Sequence, residues 1–132
     1  MRVIVDTNVL VRAAIQDDRR QAEAAAKVLR QSEAVAVPLA ALCEFVWVLR
    51  RVYDFGRDEI AEAMRALLDS SNVLVNIPAA EAGLAMLEAG GDFADAVIEW
   101  EGQRLGAETF VSFDRKAISL LEQQGHAVKL LA

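Results

Sequence analysis

Five short apolar runs punctuate this chain, and stretches of helical periodicity separate them. The runs are RVIV at 2–5, Ala34–Val37, Val73–Ile77, Thr109–Val111 and Ala127–Leu130. Runs this short and this apolar predict buried strands. Between them, DTN at 6–8 opens a helix with Val9, Leu10, Ala13 and Ala14 at helical spacing. Further helices are predicted over 17–31, from Leu39 to about Val52, over 57–69, over 79–89 ending at Gly90-Gly91, from Asp92 to about Leu105, and over 114–123. Strands alternating with helices imply a parallel sheet with helices on both faces, joined by right-handed crossovers. No repeat and no linker divides the sequence, so one α/β domain is expected over residues 1–132.

With 55% hydrophobic residues, two prolines and seven glycines, the chain is neither disordered nor of low complexity. No apolar run approaches the roughly 20 residues that span a bilayer, and MRVIVD is too short for a signal peptide. The single cysteine, Cys43, excludes an internal disulfide and suits a reducing cytoplasm. Cys43 reads as a small core residue and the lone His126 as structural or surface. A net charge of -6 argues against nonspecific coating of nucleic acid but permits an acidic centre with a local basic rim. Arginine, the better bidentate phosphate ligand, supplies 11 of the 14 basic residues.

Glu44 interrupts the run AVAVPLAALCEFVWVL, and Arg50 and Arg51 lie six and seven positions away. A carboxylate buried in so apolar a helix needs a cation from elsewhere, because desolvating an unpaired charge costs several kcal/mol. Three other carboxylates occupy telling places. Asp6 follows the first strand, Asp114 follows the fourth after Ser112-Phe113, and Asp95 sits in the first turn of the helix leading into that strand. Ligands of open α/β sheets bind beyond the carboxyl ends of the strands. If strands one and four are neighbours, these four acids share one pocket. Asp6, Asp92 and Asp114 also read as ordinary N-caps, and Asp95 as an acid favoured by the helix dipole. Within DFAD, Asp95 is the better ligand and Asp92 the better cap, since Asp92 follows Gly-Gly.

Clustered carboxylates repel unless protons or cations intervene. Hard oxygen donors without His or Cys select Mg²⁺ or Mn²⁺ over zinc, as one ion or as a pair. Such an ion activates water for attack on a phosphodiester.

Four blocks carry a resemblance: VIVDTNVL at 3–10, the isolated Glu44, DFADAVI at 92–98 and SFDRKA at 112–117. In order and spacing they resemble the acidic blocks of PIN-domain ribonucleases, above all the VapC toxins of toxin–antitoxin pairs. The resemblance implies a three-layer sandwich on a parallel sheet of order 3-2-1-4-5. It implies Asp6, Glu44, Asp95 and Asp114 as metal-binding catalytic acids, with Thr7, Asn8 and Ser112 orienting water or ligands beside them. It also implies an RNA substrate, a homodimer and a cognate antitoxin whose tail covers the acidic groove. Glu99, Trp100 and Glu101 depart from the alanines common in the family after the third block.

The expected activity is therefore Mg²⁺-dependent endoribonuclease cleavage. Arg12, Arg19, Arg20, Arg50, Arg51 and Arg57 are candidates for the RNA-guiding rim. The acids alone leave DNA open as substrate, because metal-activated hydrolysis needs no 2′-hydroxyl. An inert PIN-fold binding module is a second reading. A phospho-aspartate phosphatase is a third, weakened because Asn8 stands where that chemistry needs a second Asp. Phe93, Trp100, Phe110 and Phe113 read as core, given their apolar neighbours.

Overall fold

Backbone pairing sorts the strands into two parallel sheets. The computed structural model describes all residues, Met1–Ala132, and divides them into two units, Met1–Ile77 and Pro78–Ala132. The first unit runs β1 (Arg2–Ile4), α1 (Thr7–Ala14), α2 (Arg19–Gln31), β2 (Ala34–Ala36), α3 (Leu39–Arg51), α4 (Arg57–Leu68) and β3 (Val73–Leu74). Its sheet has the order β1-β2-β3, in register from Arg2↔Ala34 to Ile4↔Ala36 and from Val35↔Val73 to Ala36↔Leu74. After α5 (Ile77–Glu88), the second unit continues with α6 (Phe93–Arg104), β4 (Thr109–Ser112), α7 (Arg115–Gln123) and β5 (Ala127–Leu130). Its sheet is the pair β4-β5, from Thr109↔Ala127 to Ser112↔Leu130.

The element order is the one expected, and three details differ. A single five-stranded sheet was expected, and two sheets form instead, containing the 3-2-1 and 4-5 portions of the expected order. Strands of three and four residues carry little register information, so the pattern that identifies β1 and β4 does not specify what pairs with their remaining edges. The third strand stops at Leu74 rather than Ile77, because Ile77 and Pro78 start α5. Proline lacks a backbone N–H and fits the first turn of a helix, where that donor has no partner. Finally, β1 is not buried throughout. Val5 is buried, whereas Ile4 is 80% exposed, as alternation of side chains across a strand requires when one face stays open.

Aliphatic side chains at helical spacing build the first core: Leu10 and Val11 from α1, Leu42, Phe45, Val46 and Leu49 from α3, Ile60 and Met64 from α4. Val35 on β2 is fully buried as well. Fully burying one such side chain is worth about 1.5–3 kcal/mol.

The second core gathers Met86, Ala96 and Leu121, with Phe110, Leu120 and Val128 packed against them. Phe93 is 1% exposed and closes on Gly83, where an added Cβ would meet its ring at 2.5–2.6 Å. That approach makes Gly83 obligatory. At Gly90, φ is 97°, a left-handed conformation that suits glycine and ends α5. The Gly91 amide then donates to the Met86 carbonyl at 2.8 Å, the six-to-one bond of a Schellman turn. Glu99, one of the departures from the family pattern, is buried, and its carboxylate accepts from Gln103 Nε2. His126 Nδ1 lies 3.4 Å from the same carboxylate, which gives this histidine its structural role. Trp100 is stacked beneath the Arg104 guanidinium at 4.7 Å. Among the four aromatics expected in the core, Phe93 is buried, Trp100 and Phe110 are partly so, and Phe113 is 72% exposed. Phe113 lies in the turn between β4 and the Asp114 cap, where the chain has left the sheet.

Candidate active site

In the first unit the two acids stand beyond the ends of neighbouring strands. Asp6 lies two residues past β1 and caps α1, its carboxylate accepting from the Val9 amide at 3.1 Å. Glu44 lies on α3, the helix that leaves β2. Both are exposed. Here one premise of the sequence reading is corrected. The buried face of α3 consists of Ala41, Leu42, Phe45, Val46 and Leu49, and Glu44 belongs to the other face. Ala40, Trp47 and Arg51 share that exposed face, with Trp47 57% exposed. Glu44 is solvated, so burial imposes no cation on it. The run is apolar by composition, but four of its residues, Pro38, Ala40, Glu44 and Trp47, are exposed.

The second unit crowds its acids instead. Asp92 caps α6, accepting from the Ala94 amide at 3.1 Å, as its place after Gly-Gly implies. Asp114 caps α7, accepting from the Lys116 and Ala117 amides, each at 3.0 Å. Its own amide donates to the Ser112 hydroxyl oxygen at 2.9 Å, so Ser112 holds the turn that presents Asp114. Asp95 is half-buried in the first turn of α6. Burial, then the charge of Asp92 and then that of Asp114, together raise its pKa to about 6. No cationic side chain pairs with any of these three carboxylates.

A hard, multiply charged cation fits this donor set, since it would relieve both repulsion and desolvation. Asp95 and Asp114 are the groups that would hold it here, Asp114 through the carboxylate oxygen that its cap bonds leave free; Asp92, whose cap also uses one oxygen, stands beside them. No three His, Cys, Asp or Glu side chains form a ready cage around one ion position. Bound ions of this class retain water ligands, so a protein cage need not be complete.

The family profile described as the PIN domain matches residues 3–121. The chain belongs to the PIN-domain family. The match takes in all four acidic blocks, from Asp6 to Asp114. Members of this family are metal-dependent nucleases, and the crowded acids of the second unit are of the kind such chemistry uses. A comparison with curated proteins found no match.

The remaining predicted residues are placed as follows. Thr7 and Asn8 form the first turn of α1 directly after Asp6. Of the six arginines, Arg12 is held by Asp17 at 3.0 Å and Arg19 by Glu23 at 3.3 Å. Arg20, Arg50 and Arg51 are exposed, while Arg57 opens α4. Arg12 reaches the surroundings of Asp6. It lines a groove of about 500 Å³ between α1 and α2, with Asp6 and Asn8 at its edge and Gln21 on α2. The sequence reading missed Gln21, because nothing in a helical pattern says which polar residue a neighbouring helix will face.

Proposed function

We propose that this PIN-domain protein is a Mg²⁺- or Mn²⁺-dependent endoribonuclease in which Asp6, Glu44, Asp95 and Asp114 act together, and that it is the toxin of a toxin–antitoxin pair. The observation that carries the reading is Asp95, half-buried beside Asp92 and Asp114 and in no ion pair with a cation of the chain's own. The proposal takes the profile match, unbroken from 3 to 121, as one PIN domain with strand order 3-2-1-4-5. The 3-2-1 and 4-5 portions of that order are present within the two units.

When bound, a divalent ion supplies positive charge at the scissile phosphate and lowers the pKa of water. The chain's own groups do the rest. Asp114 is held in place by its cap bonds and the Ser112 contact, and Asp95 stands half-buried beside it. Asp6 and Glu44 add anionic donors that remain solvated until substrate arrives. RNA rather than DNA, a cytoplasmic setting, a homodimer and an inhibiting antitoxin rest on the likeness to VapC toxins. An arginine-rich antitoxin tail would suit carboxylates that have no cationic partner.

The test is cleavage of structured cellular RNA and of single-stranded DNA by purified protein, with Mg²⁺, Mn²⁺ or EDTA. Expected are few, discrete RNA cuts that EDTA abolishes and that Asp6→Asn no longer makes. Dispersed cuts, cuts in DNA alone, or an Asp6→Asn protein of wild-type rate would overturn the proposal.

A further inference from the structure

The groove beside Asp6 has a composition that the four acids do not account for. Its apolar lining comes from Val9 on α1 and Ala24, Ala25 and Val28 on α2. Its edge carries the side-chain amides of Asn8 and Gln21, neither engaged in a hydrogen bond within the chain. Apolar walls with a few convergent polar groups mark small-ligand sites, and about 500 Å³ lies within their usual range of roughly 300–1,000 Å³. An amide presents a donor and an acceptor side by side, the arrangement that reads a base edge. Arg12 is half-buried along the same groove; it gives Nη1 to Asp17, and the remaining donors of its guanidinium fork suit a phosphate. Finally, α1 has eight residues, about 12 Å at 1.5 Å per residue, long enough for a nucleotide or two.

We infer that this groove is a nucleobase subsite: one unstacked base of the RNA strand, next to the phosphate to be cut, lies between α1 and α2. The base packs against Val9, Ala24 and Val28. Gln21 and Asn8 meet its polar edge, and Arg12 meets the adjoining phosphate. Enzymes that act on single strands commonly hold a splayed base between apolar side chains in this way. The inference rests on the nuclease reading and adds to it the means by which few sites are chosen.

The test places 2-aminopurine at each position in turn of a short single-stranded RNA that the enzyme cuts, or of a random-sequence one if it cuts none. Binding is followed by fluorescence with the Asp6→Asn protein in EDTA. A large fluorescence change is expected at one position only. Ala24→Phe, a change at an exposed α2 site that fills the groove, should erase that change and weaken binding about tenfold. Should Ala24→Phe not fold, as judged by circular dichroism, Gln21→Ala serves instead, with a smaller loss in the same direction. Equal responses at all positions, unchanged binding by the filled variant, or a groove that takes up an apolar peptide while ignoring the oligonucleotide would overturn the inference. The two readings fail separately. Base capture without cleavage under any divalent ion refutes the nuclease alone, and cleavage without base capture refutes the subsite alone.

Discussion

The two units use the same side chain, a carboxylate beside a strand end or helix start, to different physical effect. In Met1–Ile77, Asp6 and Glu44 stand in solvent, one as a lone cap and the other on the open face of α3. In Pro78–Ala132, the caps of α6 and α7 bring two charges to bear on Asp95, which is itself half-buried. Desolvation together with like charge is what raises the pKa of Asp95, and only the second unit supplies both.

The largest effect expected from this contrast is catalytic. Asp95→Asn should lower kcat/KM on RNA by about 10²-fold or more, the scale of losing a preorganised electrostatic group. Steady-state rates at saturating Mg²⁺ check it, and an equal loss from Asp92→Asn would erase the distinction between ligand and cap.

Packing gives the next effect. Gly83→Ala forces the Phe93 ring aside and should destabilise the protein by about 1–3 kcal/mol. Gly102→Ala, also helical but with nothing within 4 Å of the new methyl group, should stabilise it by up to about 1 kcal/mol. Urea melts of the two variants should therefore move in opposite directions.

Capping separates Asp114's charge from its geometry. Asparagine caps a helix as well as aspartate does, so Asp114→Ala should melt below Asp114→Asn by about 1 kcal/mol. Neither should cleave RNA. Equal melting temperatures would show that the bonds to Lys116 and Ala117 contribute nothing.

The pH effect is smaller because Asp95 is partly solvated. Its folded pKa, about 6, lies above the ordinary 3.8, so ionising it costs folding free energy. Its neutral form is not penalised below about pH 4, and stability falls as pH rises through 6, by something of order 1 kcal/mol after solvent screening. Subtracting melts of Asp95→Asn from those of wild type between pH 4 and 7 isolates this contribution. Added Mg²⁺ should recover the loss in wild type and not in the variant. By contrast, Glu44→Gln without metal should change stability by less than about 0.5 kcal/mol, as for other solvated surface sites.

Alternating apolar runs and helical periods, read along the chain, place all twelve elements to within a few residues, and the four acidic blocks point to the PIN family before any coordinates. That much is local: period, caps and breakers are written into consecutive residues. Asp92 as a cap was legible for the same reason, because Gly-Gly-Asp ends one helix and starts the next. The exposure of Glu44 was not, since composition cannot say which arc of α3 meets the core. Nor were the burial of Glu99 against His126, 27 positions away, or the aliphatic groove beside Asp6. These depend on which faces of separate elements meet, and on desolvation and charge summed over neighbours distant in sequence, which only the tertiary structure decides.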